Sequence, residues 1–192
     1  GIRDTSVTGV QRVLFRSAVV DIEVSLKTGK IVAKELWVSQ DNGISFYLDG
    51  GINNSIGAAV QGVSRAIWEG LNFDTKYVTG LDWVTYPMLR FKDHPKVHMH
   101  VLQRYDIPDV QTATLGSNGA STQNGLVERD GIYAGGSGEP ALAPVAAAIG
   151  NAFFDATGVR LREAPMTPSR VRAALDRKST RLNSSHRCIS YA

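Results

Sequence analysis

Cysteine is nearly absent from this chain. The one thiol, Cys188, lies in the last few of the 192 residues. A disulfide framework, a thiolate nucleophile, a Cys-ligated zinc and an iron–sulfur cluster all need cysteines that the rest of the chain does not hold. Long apolar runs are also missing. No stretch reaches the roughly 18 residues that a helix needs to span a bilayer. Charge of one sign is not in excess either, although the formal net charge of +3 suggests otherwise. Residues 1–17 carry three Arg and one Asp, and residues 178–192 carry one Lys and two Arg. The intervening 18–177 keep 15 basic and 17 acidic residues, a net charge of −2. The positive balance thus belongs to the ends and gives no footing to nucleic acid or an anionic membrane as partner. Neither end shows a convincing period, and both look like translated sequencing-adapter read-through. Residues 1–17 and 178–192 are therefore set aside as artefactual, and 18–177 is read as one unit without internal repeat or linker.

What is present is enough for a core: 43% of the residues are hydrophobic. The chain turns on Gly135-Gly136-Ser137-Gly138-Glu139-Pro140 and the apolar run behind it. Three glycines in four residues make a loop whose backbone can approach a ligand. Pro140 suits the first turn of a helix. Ala141, Leu142, Val145, Ala146, Ile149, Ala152, Phe153 and Ala156 recur at helical spacing, and Gly158 fits a C-cap. Glu139 is the one charged residue from Gly131 to Phe154. A carboxylate at a helix N-terminus is favoured as an anion, while partial burial opposes its charge. It is read either as a helix cap or as a general base.

In chain order, Ala18–Leu26 and Ile31–Ser39 alternate and flank Lys27-Thr28-Gly29-Lys30, which predicts a β-hairpin. Gln40–Gly51 reads as a loop, and Asn53–Gly70 as a helix with Ile56, Ala59, Val60, Val63, Ala66 and Ile67 inward. Gly57 and Gly62 inside that helix imply close packing or ligand approach, because each costs about 1 kcal/mol against Ala. Phe73–Val84 reads as irregular structure with strands, and Lys96–Arg104 as a strand. Asp106–Asp130 reads as a long surface excursion or a hairpin around Asn124-Gly125. Arg160–Ala164 should be extended, and Thr167-Pro168 opens a last helix ending near Asp176. The fold class expected is α+β, a mixed sheet with packed helices.

His98 and His100 share a strand face and, with His94 nearby, raise a zinc pair against an ordinary solvated strand; with so few other ligands no metal site is assigned. A Ser-His-Asp triad has nothing to fix its geometry. The glycine cluster offers backbone N–H groups to an anion, which keeps a nucleotide-binding module as one reading; it lacks the Gly-Lys-Ser/Thr of a Walker loop.

Two groups of motifs carry a resemblance. Asp41-Asn42-Gly43, Asp49-Gly50 and Val60-Gln61-Gly62-Val63-Ser64-Arg65-Ala66 come first. Gly136–Pro140, Asn151–Arg160 and Ala164–Val171 follow. In that order the segment 18–177 resembles the C-terminal end of the large, molybdopterin-binding subunit of the xanthine dehydrogenase/aldehyde oxidase family, most of all its bacterial isoquinoline/aldehyde oxidoreductase branch. The resemblance implies the second molybdopterin-binding domain of a molybdenum hydroxylase. It implies hydroxylation of an aldehyde or N-heterocycle carbon with water-derived oxygen, Glu139 acting as base. It also implies a molybdenum–molybdopterin cofactor in the cytosine dinucleotide form, contacted by Gln61, Gly62, Ser64, Arg65, Gly136, Ser137 and Gly138. Gln61 then stands among apolar helix positions, where a buried amide needs hydrogen-bond partners. Arg65 meets a phosphate of the cofactor tail or a surface carboxylate. The remainder of the large subunit and a small [2Fe–2S] subunit are the implied partners. The chain departs from the family pattern at Asn54 and Ile56, where Gln and Glu are usual, and at Asn42, where Cys is common. A bacterial cytoplasm and a periplasm fit equally, and a truncated cofactor-binding domain without activity of its own is the competing reading.

Overall fold

The computed structural model describes residues 15–43, 45–103, 127–129 and 132–184, with side chains for 16–43, 45–103 and 135–177. Strand β1 (Phe15–Val24) turns at a positive-φ Gly29 into β2 (Ile31–Asp41). Helix α1 (Leu48–Ile67) and an irregular segment then lead to β3 (Lys96–Val101), which pairs parallel to β2. The order β1-β2-β3 is antiparallel on one side of β2 and parallel on the other, so the sheet is mixed. A parallel neighbour needs a crossover, and α1 supplies it. Strands β4 (Val127–Arg129) and β5 (Ile132–Ala134) form a separate antiparallel ribbon. Helices α2 (Gly138–Leu142), α3 (Val145–Thr157) and α4 (Pro168–Ser184) complete the chain. The α+β architecture matches the sequence reading.

One irregularity decides which side chains of β2 face inward. Asp21 pairs with Glu35 but Ile22 pairs with Ala33, so Lys34 is a bulged residue. Before it the odd positions Ile31 and Ala33 are buried; after it the even positions Leu36, Val38 and Gln40 are. The shift in parity carries Gln40 into the interior beneath the helices. The core joins these residues to Ala59, Val63, Ala66 and Ile67 of α1, Ala141 of α2, Val145, Ile149 and Phe153 of α3, and Met166 and Val171. Each fully buried large aliphatic or aromatic side chain contributes about 1.5–3 kcal/mol.

Several sequence expectations change. α1 starts at Leu48, so the end of the expected loop Gln40–Gly51 is helical; the ring of Tyr47 occupies the space a Cβ on Gly50 would need. Ile56 and Val60 are only half-buried, and Ser55, Gly62 and Ser64 take buried positions instead. The apolar run after Glu139 is two helices rather than one. Pro144 has no N–H and ends α2 after five residues, and its carbonyl accepts the Ala148 N–H as α3 begins again. Ala156 is exposed. Gly158, at φ 66°, caps α3 as expected, its N–H meeting the Phe154 carbonyl at 2.6 Å. The last helix passes Asp176 and continues to Ser184. The ribbon pairs Arg129 with Ile132, and Asn124-Gly125 with most of the expected excursion lie outside the described residues.

Two motif stretches prove to be structural locks. In 151–160, Arg160 folds back over the Phe154 ring, 3.8 Å from its centroid, and donates to Asn151 Oδ1 at 2.7 Å. In 164–171, the Met166 N–H donates to the Ala66 carbonyl at 2.7 Å and ties this segment to the end of α1.

Candidate functional site

α1 and α2 lie side by side, and their outer edges enclose a cleft of about 420 Å³. It is lined from α1 by Asn53, Asn54, Gly57, Ala58, Gln61 and Arg65, and from α2 by Gly138, Glu139 and Leu142. The spacing 54, 57, 58, 61, 65 is one helical stripe, so every polar group on it reaches the same space. Gly57 leaves that space open, since a Cβ there would meet nothing within 4 Å. Three amides, one guanidinium and one carboxylate thus face one cleft. Glu139 is exposed, and neither it nor Arg65 makes an ion pair among the described residues. Gln61 is exposed on the cleft instead of buried among apolar neighbours.

The other residues singled out in the sequence separate by place. Gly138 lines the cleft beside Glu139, and a Cβ on it would come 3.2 Å from Asn54 Nδ2. Ser137 is held just behind. Gly136 is exposed and does not line the cleft. Gly62 is buried on the side of α1 next to this stripe, where a Cβ would stand 3.0 Å from Val145 Cβ and 3.1 Å from the Leu142 carbonyl; its smallness lets α1 pack against the α2–α3 junction. Ser64 is buried too, its Oγ accepting the Leu89 N–H at 2.9 Å. Gly62 and Ser64 thus have packing roles in this chain.

A buried polar group supports the loop. Gln40 Nε2 donates to Ser55 Oγ at 2.9 Å and to the Ser137 carbonyl at 3.2 Å. Ser55 Oγ lies 2.8 Å from the carbonyls of both Ser137 and Gly51, its one proton shared between them. Asn54 Nδ2 donates to Ser137 Oγ at 3.0 Å, and the Gly135 N–H donates to the Asn42 carbonyl at 2.8 Å. Gln40 Oε1 and Asn42 Oδ1 are buried without a hydrogen-bond partner among the described residues. An unsatisfied buried acceptor costs about 1–3 kcal/mol. Gln40, Ser55 and Asn54 were missed in the sequence: their partners lie 15 to 97 residues away. The only local signal was a run of polar residues at the end of an apolar strand.

The histidines do other work. His98 Nε2 is 2.8 Å from Glu35 Oε2, and its ring stacks on Trp37 at 5.2 Å. That hydrogen bond, then the nearby Lys96, holds the Glu35 carboxyl below its ordinary value. His100 is exposed, and the described residues contain no group of three His, Cys, Asp or Glu fit to hold a metal ion. No helix among them is long and apolar enough to cross a membrane.

No family model matches the chain. It is 33% identical over 157 residues to one of the subunits of the nicotinate dehydrogenase of Pseudomonas putida, a match over 82% of this chain and 11% of that protein. It is 30% identical over 157 residues to the membrane-bound aldehyde dehydrogenase [pyrroloquinoline-quinone] of Gluconacetobacter polyoxogenes, over 80% of this chain and 16% of that one. Among solved structures, the aldehyde oxidoreductase of Desulfovibrio gigas superposes with a TM-score of 0.63 at 22% identity, over 85% of this chain and 15% of that one. The chain therefore spans only about a tenth to a sixth of the length of these relatives. Its homologues and structural neighbours are members of the molybdenum hydroxylase family, and its fold is one found in that family's large subunits.

Proposed function

We propose that this chain is the C-terminal molybdopterin-binding part of the large subunit of a molybdenum hydroxylase, with the α1–α2 cleft as its share of the cofactor and reaction site. The observation that carries the reading is the cleft itself. Glu139 and Gln61 lie 78 positions apart in the chain and line one space together with Arg65. The donor set fits a pterin with a phosphate-bearing tail, here the cytosine dinucleotide form. Asn53, Asn54 and Gln61 present amides to a polar ring edge, Arg65 presents a fork of donors to a phosphate, and Gly57 leaves room for close approach. The cofactor, when bound, supplies the redox chemistry by which an aldehyde or N-heterocycle carbon is hydroxylated with water-derived oxygen.

Glu139 takes the proton from the attacking oxygen and so acts as general base. Its exposure on the cleft keeps the carboxylate in reach of a reactant, and its position just after Gly138 brings it forward on a backbone with no intervening side chain. Gln61 orients the ring system, and Arg65 anchors the far end. The substrate class is a small aldehyde or N-heterocycle. The [2Fe–2S] centres that would take up the electrons are assigned to a partner subunit; the one cysteine of this chain could not ligate a cluster. The rest of the large subunit supplies the remaining walls. The competing reading, a domain without activity of its own, concerns the isolated chain and is compatible with this role.

The test is cofactor analysis after co-expression of the chain with the upstream remainder of its large subunit. Molybdenum and pterin in about one-to-one ratio with the chain, lost on Arg65→Ala, is the expected result. A preparation carrying a quinone cofactor, or none, contradicts the reading.

A further inference from the structure

We propose that Ser55, Gln40 and Asn54 are positioning residues that hold Glu139 in place by clamping Ser137. The inference rests on the reading of Glu139 as base for its functional meaning, though not for its geometry. Glu139 follows Gly136-Ser137-Gly138, and a residue between two glycines has little local reason to keep one conformation. The short α2 cannot impose one, since five residues lie below the length at which a helix sustains itself. The order must come from outside the loop. Besides the Gly135 N–H on the Asn42 carbonyl, it arrives at Ser137, whose carbonyl meets both Ser55 Oγ at 2.8 Å and Gln40 Nε2 at 3.2 Å and whose hydroxyl meets Asn54 Nδ2 at 3.0 Å. Ser55 is 0% exposed and Gln40 2%, so water has little access to the two bonds at the Ser137 carbonyl, while the Asn54 bond is open to it.

The orientation of Gln40 shows which of its ends matters. Its NH₂ faces two oxygens, while its own Oε1 is buried with no partner among the described residues. Turning the amide over would set oxygen against oxygen at the Ser137 carbonyl and would draw the Ser55 hydroxyl proton away from the Ser137 and Gly51 carbonyls. The buried orphan is the consequence of giving both donor protons to the clamp. Gly138 completes the arrangement: a Cβ there would press on Asn54 Nδ2, the third arm of the clamp. None of the three clamp residues supplies a charge to the cleft. They act through Ser137, two residues before the base.

The experiment is hydrogen exchange on the full 192-residue chain, read residue by residue, for Ser55→Ala, Asn54→Ala and Ser55→Thr. Asn54 is exposed, so its replacement leaves the core in place. In Ser55→Ala the amides of Gly135, Leu142 and Ala143 should exchange at least about tenfold faster, with those of Ile149, Gly150 and Phe153 unchanged. Asn54→Ala should give a smaller rise at the same amides, and Ser55→Thr, which keeps the hydroxyl, should restore protection. The Glu139 amide resonance should broaden in Ser55→Ala and sharpen again in Ser55→Thr. Unchanged exchange at residues 135–143 in both alanine variants would overturn the proposal. So would an equal rise throughout α3, which would make Ser55 an ordinary core residue. Loosening of the loop beside a fully active Glu139→Gln enzyme would keep the clamp and remove the base. An inactive Glu139→Gln enzyme beside an unmoved loop would keep the base and remove the clamp.

Discussion

Two parts of the molecule are rich in polar contacts and are built in opposite ways. Around Ser137 the hydrogen bonds join residues 82 to 97 positions apart; the two to its carbonyl are half-buried and the one to its hydroxyl is exposed. In the segment from Leu71 to Phe91 most are local and exposed; the longer ones tie its end back, from the Leu89 N–H to Ser64 Oγ and from the Tyr86 hydroxyl to Glu69. Asp74 accepts the N–H groups of Lys76 and Tyr77, and Asp82 accepts those of Val84 and Thr85. Here the large apolar side chains Leu71, Phe73, Leu81, Trp83, Val84 and Phe91 are mostly exposed. Distant bonds converge on one loop and restrict it. Local bonds shape turns and leave the segment's apolar side chains uncovered. A site that must hold a carboxylate to within a fraction of an ångström needs the first kind.

Core substitutions should separate the two regions most strongly. Phe153→Ala, at a fully buried position under α1 and the sheet, should cost about 3–5 kcal/mol in urea unfolding. Phe91→Ala, at 95% exposure, should stay within about 0.5 kcal/mol. Equal losses would mean that the 71–91 segment is packed after all. The two helix glycines give the next contrast. Gly62→Ala forces a Cβ against Val145 and a backbone carbonyl, and should destabilise by about 1–3 kcal/mol. Gly57→Ala meets open space and should stabilise by up to about 1 kcal/mol through helix propensity. It should also weaken cofactor retention, because the added methyl enters the cleft; a Gly57→Ala chain with unchanged cofactor content would argue that nothing approaches there.

The smallest effect is one of pH. Backbone hydrogen bonds from Lys76 and Tyr77 lower the Asp74 carboxyl from its ordinary value of 3.8, and those from Thr85, with its hydroxyl, and Val84 lower that of Asp82. A folded value below the unfolded one means that the contribution is fully present above the ordinary value and is lost as pH falls through the folded one. Trp83 fluorescence should therefore report loosening of its turn below about pH 3.8 while the sheet persists in circular dichroism. Asp82→Asn should remove that acid transition. A change of the same size near neutral pH would contradict the turn assignment.

These contrasts also mark what the sequence could reveal. The hairpin, α1 and the Gly158 cap were legible because alternation, helical period and glycine chemistry are local signals. Cleft residues Gln61, Arg65 and Glu139 were legible only through the resemblance of ordered motifs. The roles of Gly62 and Ser64 were not, since a helix period says which residues share a face and not what covers it. Pro144 was plainly visible, but an apolar run masked its effect. The bulge at Lys34, which turns Gln40 inward, depends on the register with β1 and leaves no mark in β2 alone. The parallel placement of β3 is likewise a tertiary choice.

The most direct measurement is steady-state turnover by Glu139→Gln in the large subunit assembled with its upstream part and its iron–sulfur partner. Gln keeps the size and hydrogen-bonding shape and removes the base. If Glu139 takes the proton, kcat falls at least about 10²-fold, KM changes less, and molybdenum content stays near that of the parent enzyme. A Glu139→Gln enzyme with full molybdenum and parental kcat would contradict the assignment and leave Glu139 as no more than a residue at the opening of a short helix.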